Sequence, residues 1–342
     1  MKTTGKARRH ALRRGLAKGL LLILVPLIGG CAMRRLAAKP FDYVKNVTLG
    51  EYYLQNGRYR EGLAQFRAEV AGNPRNAEAN YYLGRFCLAA RQPAKALIPL
   101  SRAVALDPGQ ADYHFWLGVA QGASGRPKHE RASYEKALAL DPKHIQAWTY
   151  LGHNRLEAGL LISALAAYQK AIALWPENPQ ALFNRAVILG RLGRTPEEKL
   201  AWQIYMAYHP AGSFALQAAD RLNALEDFTY RNFRFGRRSI TLEKIYFEPF
   251  SGKLDLDGLA PLNLIGTLLT NNRKLTLQVV AYQQKNLRLA HARVVSIKRY
   301  LLKAFPRIKS ERIRMSWFDV PEEIKIDGRT VSNPESIVFF TQ

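Results

Sequence analysis

The chain has 342 residues, 48% of them apolar, and a formal charge of +24 from 51 basic and 27 acidic side chains. That apolar share excludes a globally disordered chain, and the length suits two domains besides any targeting segment. Two cysteines exclude a disulfide-rich scaffold and a paired-cysteine zinc module.

The N-terminus carries Lys2, Lys6, Arg8, Arg9, Arg13, Arg14 and Lys18 with no acidic residue among them, then an apolar run from Gly19 to Gly30 broken by Pro26. The run is short for a membrane-spanning helix and fits the apolar core of an export signal. It ends in Ile28-Gly29-Gly30-Cys31, which resembles a bacterial lipobox. The resemblance implies that Cys31 is acylated and becomes the mature first residue. With Ala32 rather than aspartate next, it also implies an outer-membrane, periplasm-facing anchor, held by buried methylenes. The alternative is an uncleaved anchor helix, which also places the rest of the chain outside the cytoplasm. Residues 32–42 read as a basic tether. Cys87, beside Leu83 and Phe86 on the inner side of a helix, reads as a buried structural thiol.

From Tyr43 to Gly212 the chain repeats. Pro74, Pro108, Pro142, Pro176 and Pro210 stand at a fixed interval of 34 residues. Gly50, Gly84, Gly118 and Gly152 keep the same step, with Ala186 in fifth place, and so do Gly57, Gly125, Gly159 and Gly193, with Arg91 filling the gap. A period of this length marks a solenoid of helical hairpins, each needing its neighbours to bury its apolar faces. The second glycine series falls where a first helix ends, where a left-handed residue is least costly on glycine. Pro93, Pro127 and Pro196 fall where a second helix begins. Pro99, inside a second helix, predicts a kink.

The array resembles the tetratricopeptide repeat family. Leu83, Gly84, Ala96, Leu100, Ala103 and Pro108 fall on its signature positions, as do Trp148, Leu151, Gly152, Ala164, Tyr168, Ala171 and Pro176; Glu130 stands where a small residue is expected. Five repeats and a capping helix, Ser213 to Phe228, make the unit 43–228. The resemblance implies that first helices line a concave groove. Carried over by position, Tyr81, Arg85, Phe115, Val119, His153, Phe183, Val187 and Arg191 face it, a mixed aromatic and basic surface suited to an extended peptide or a partner helix. An aromatic there can equally pack against the next repeat.

Residues 229–239, with Arg231, Arg234, Arg237 and Arg238, read as a basic linker. Residues 240–342 then alternate: a strand over Ile240–Phe247, a helix over Leu259–Leu269, a strand over Leu275–Tyr282, a helix over Leu287–Phe305 stopped at Pro306, and strands over Arg312–Phe318 and Ser336–Phe340. The fold class is therefore an all-α solenoid followed by an α+β domain of β-α-β-α-β order.

The second domain resembles the OmpA C-terminal-like family, through Ile245-Tyr246-Phe247-Glu248, Glu311-Arg312-Ile313 and the helix series Asn286, Leu289, Arg293, Ile297, Tyr300 and Leu301. The resemblance implies peptidoglycan binding, with an arginine on the ligand carboxylate and an aspartate on its ammonium. The arginine position is Arg293, but the aspartate position holds neutral Gln284, and only Asn333 remains of the closing signature. Weakened wall binding and a domain kept only for protein contacts both stay open.

No phosphate-binding glycine loop, metalloprotease histidine pair or nucleophile elbow is present, so the expectation is a non-enzyme without cofactor or metal. Residues 231–342 hold 20 basic and 10 acidic side chains, against 21 and 17 over residues 41–230. With an export signal, that surplus points to anionic envelope material or an acidic protein face rather than nucleic acid. The functional expectation is an exported, lipid-anchored adaptor whose repeats recruit a protein and whose last domain docks on peptidoglycan or an envelope assembly. The alternative is a pure protein-interaction subunit of a secretion, pilus or polysaccharide machine.

Overall fold

The computed structural model describes residues 30–342 apart from 257, with side chains from Tyr43 onward. The stretch read as an export signal and lipidation cysteine, residues 1–31, lies outside the described residues apart from the backbone of Gly30 and Cys31. Among the described residues, no helix is long and apolar enough to cross a membrane.

The 34-residue period appears as antiparallel helix pairs: α1 (Gly30–Gln55) with α2 (Tyr59–Gly72), α3 (Ala77–Ala89) with α4 (Pro93–Leu106), α5 (Ala111–Ala123) with α6 (Pro127–Leu140), α7 (Ile145–Glu157) with α8 (Leu161–Leu174), and α9 (Pro179–Arg191) with α10 (Thr195–Tyr208). α11 (Ser213–Ala224) caps the stack. The backbone of residues 32–42 is helical and continuous with the first repeat. α4 continues through Pro99, which lies buried inside it.

Local chemistry sets these boundaries. Asn76 and Asn178 cap α3 and α9 by accepting from the backbone N–H three residues on. First helices end in the left-handed region at Gly57, Gly125, Gly159 and Gly193, and Arg91 adopts the same conformation at φ 57°. Gly118 and Gly152 leave room for a tyrosine: a Cβ there would lie 2.5 Å from the Tyr134 ring and 2.7 Å from the Tyr168 ring. Both tyrosines are fully buried, so the small residue and the ring form one packing unit.

The segment read as a basic linker is a strand pair. β1 (Tyr230–Phe235) and β2 (Arg238–Glu243) form an antiparallel hairpin turning at Gly236, φ 60°. Its arginines obscure a period of two that buries Phe233 and Phe235. The strand expected over Ile240–Phe247 stops at Glu243. Next come α12 (Leu259–Asn271), β3 (Leu277–Gln283), α13 (Leu287–Ala304), β4 (Ile313–Phe318), a hairpin of β5 (Glu322–Ile326) and β6 (Arg329–Asn333), and β7 (Glu335–Thr341). The main sheet has the order β4-β3-β7, parallel at β3–β4 and antiparallel at β3–β7. Leu262, Ile265 and Leu269 of α12 and Val294, Ile297 and Leu301 of α13 share one buried cluster with Leu277, Val279 and Ala281 of β3.

The β1–β2 hairpin fastens this domain to the array. Asn232 Nδ2 donates to the Leu216 carbonyl (2.8 Å) and to Asp220 (2.7 Å) on α11. Arg231 makes a two-pronged pair with Glu322 of β5 at 2.7 and 2.9 Å, and Phe233 meets the edge of Phe339.

Candidate partner-binding surfaces

Along the concave side, the expected residues divide into exposed and packed. At the N-terminal end Arg85 donates to Glu51 (2.6 Å) and lies over the Trp116 ring at 4.7 Å and the Tyr81 ring at 5.3 Å. Arg85 is half-buried, so its charge is largely used inside the array. Tyr81 and Phe115, expected in the groove, are 5% and 4% exposed. They pack instead on the next repeat: Tyr81 against Tyr113, and Phe115 against His144 and Tyr150. An aromatic at this register bridges repeats because the neighbouring helix pair lies within ring-stacking distance.

In the middle of the array, His144 Nδ1 accepts from the Ala147 N–H. The proton therefore sits on Nε2, which donates to Asp112 at 3.0 Å and holds that carboxyl below the usual range. His153 accepts from the Tyr168 hydroxyl at 2.6 Å, and burial lowers its basicity. The described residues contain no cluster of three or more candidate metal-ligating side chains.

At the C-terminal end the predicted residues do converge. Phe183, Val187 and Arg191 of α9 line a cavity of about 410 Å³ with Gly190, Glu198, Trp202, Gln217 and Arg221. Phe183 meets Trp202 and Tyr205 edge-to-face and Phe214 at a tilt, with ring centres 4.8–5.5 Å apart. Glu198 is buried beneath it, held by Arg221 at 2.6 and 3.1 Å and by the Trp202 N–H at 3.1 Å. Arg191 is exposed at the rim. The site presents a ring wall, Val187, the Glu198–Arg221 pair and the exposed Arg191, which forms no ion pair among the described residues.

Sequence reading missed Glu198, though a signal was there. Glu130 and Glu198 occupy the register of Ala96 and Ala164, while Gly122 and Gly190 occupy the register of Leu88 and Leu156. A Cβ on Gly122 or Gly190 would come within 2.6 Å of the glutamate carboxyl. Alternate repeats thus fill the same space with leucine plus alanine or with glycine plus glutamate.

At the wall-binding position expected in the second domain, the arginine is paired with residues of its own domain. Arg293 is 5% exposed. It donates to Gln283 (2.7 Å), pairs with Glu335 (2.8 Å) and lies over the Phe247 ring at 4.7 Å. Gln284 is exposed; its side chain makes no hydrogen bond with Arg293, and its N–H donates to the Pro334 carbonyl. The residue beside the arginine is Gln283, one position earlier. Asn286 caps α13 by accepting from the Leu289 N–H. A ligand carboxylate at Arg293 would meet a guanidinium already paired with Glu335.

The family description "tetratricopeptide repeat" matches residues 47–111, 100–145 and 150–202, and with the helix pairs described above this stretch is an array of such repeats. No curated protein matches the sequence. Among solved structures, Pseudomonas aeruginosa PilF is similar at 18% identity and a TM-score of 0.51, over 56% of this chain and 87% of that one. PilW, a type IV pilus biogenesis factor, is similar at 20% identity and a TM-score of 0.47, over 53% and 86%. YrrB, described as a repeat protein with an unusual peptide-binding site, is similar at 16% identity and a TM-score of 0.44, over 54% and 96%. Likeness at these identities concerns the repeat fold alone.

Proposed function

We propose that the chain is an exported, lipid-anchored scaffold that recruits a protein partner along the concave side of its repeats and catalyses no reaction. The observation that carries this reading is the cavity under Phe183, Val187 and Arg191, where three of the residues expected in the groove meet in an accessible site. Its ring wall and Val187 suit an apolar side chain of an extended or helical segment, and Arg191 suits an acidic neighbour. Anchoring at Cys31 rests on the Gly29-Gly30-Cys31 sequence after an apolar run, and the outer membrane on the residue after it.

For the last domain the geometry favours protein contact over wall docking. An incoming carboxylate at Arg293 would have to displace Glu335 and Gln283, and Gln284 brings no charge to replace them. Full-length protein mixed with purified wall sacculi at moderate salt should stay in the supernatant. Pelleting that Arg293→Ala abolishes would restore the peptidoglycan-docking alternative. For the groove, Phe183→Ala with Arg191→Glu should abolish recovery of the partner by affinity capture of the anchored protein; unchanged recovery would sink the groove assignment.

A further inference from the structure

The main sheet has an open side. Thr276 and Gln342 exchange N–H···O bonds at 3.0 and 3.1 Å, so even-numbered residues of β3 face β7 and odd-numbered ones face β4. In the parallel β3–β4 pair, the even-numbered residues of β4 then bond to β3, and the N–H and C=O groups of Met315 and Trp317 point outward. Among the described residues these groups have no backbone partner. Such an edge is a template for strand pairing unless charge, proline or a covering loop blunts it. No proline lies in β4.

Beside this edge is a groove of about 300 Å³ lined by Val295, Lys298, Arg299, Leu302 and Met315. Lys298 is held by the Ile313 carbonyl at 2.7 Å. Arg299 at the groove rim and Arg314 on the opposite face of β4 are exposed and form no ion pair among the described residues. One side of the edge is therefore apolar, and both sides are basic. We infer that the outer edge of β4 is a second docking surface, joined as an added strand by an extended acidic segment of a protein partner. A strand added there alternates its side chains, apolar ones toward Val295, Leu302 and Met315 and acidic ones toward Arg314, with Arg299 at the end of the groove. The charge surplus of the second domain thereby acquires a role separate from the repeat groove.

The test uses the full chain and a synthetic peptide of alternating glutamate and valine. Bound peptide should slow hydrogen exchange at the Met315 and Trp317 amides. Arg299→Glu with Arg314→Glu should weaken this protection about tenfold in peptide concentration, while Arg102→Glu, an exposed position on α4 outside both surfaces, leaves it unchanged. A peptide methylated on alternate backbone nitrogens, and one with lysine in place of glutamate, should both fail to bind. Equal binding by the methylated peptide would reduce the site to charge attraction and overturn the proposal. So would unprotected amides at saturating peptide, or protection conferred only by anionic lipid vesicles.

Discussion

Two side chains show how single residues set this molecule's behaviour. Arg293 is a buried cation whose charge is met by Glu335 and Gln283. Arg293→Ala removes a buried side chain and its bond to Gln283, while Glu335 can turn to water, and we expect a loss of about 1–2 kcal/mol, read from native-state hydrogen exchange in β3 and α13. Glu335 is 56% exposed on its side chain, so Glu335→Gln should cost less. His153 carries the pH dependence. Burial disfavours its protonated form, whereas in the unfolded chain a histidine takes its proton near pH ~6.5. The unfolded state therefore binds the extra proton first as pH falls. Its contribution to stability is full above that pH and declines below it, down to the folded-state value. Melting temperatures measured between neutral and mildly acid pH should fall less steeply for His153→Gln than for the wild type, even if the variant starts lower.

At the scale of the helix pair, the glycine–glutamate and leucine–alanine exchange makes a testable unit. Gly190→Leu alone would drive a side chain into the Glu198 carboxyl, and Glu198→Ala alone would empty the space and strand Arg221. The double substitution reproduces the pairing of Leu156 with Ala164. We expect it to recover about 1–3 kcal/mol relative to the sum of the single losses, in a urea-unfolding double-mutant cycle. Arg91 supplies a second case: it holds a left-handed turn that glycine holds in the other repeats. Arg91→Gly should stabilise the array by about 1 kcal/mol, measured the same way. These elements were legible in the sequence because each repeat restates the same constraint: a proline after the second helix, a glycine after the first, a small residue at the crossing. The β1–β2 hairpin was not, because it occurs once and its alternate arginines look like solvated linker. The β5–β6 hairpin was missed for a similar reason: its strands are five residues each and only Glu322 and Ile326 are buried. In the groove, position predicted which residues lie on first helices, but not which rings the next repeat would cover. Tyr81 and Phe115 were lost to packing for that reason, while Phe183, beside the capping helix, kept an open side.

Over the whole molecule, the hairpin of β1 and β2 is the fastening between array and second domain, through Asn232 on α11 and Arg231 on β5. Asn232→Ala with Arg231→Ala should leave both halves folded but free to move, seen as limited proteolysis between residues 225 and 240 that the wild type resists. The same coupling places the concave face and the β4 edge on one body, which is what a scaffold for two segments of an assembly requires. That the first-helix face recruits a protein is tested most directly by a photo-reactive side chain placed at Val187 in the full-length protein expressed in its native host, with Ile162 on a second helix as control; Ile162 is 66% exposed. Irradiation is predicted to yield a discrete protein adduct at position 187 that Arg191→Glu removes, and none at 162. Adducts of equal yield at both positions, or none at 187 while the protein remains folded and anchored, would contradict it.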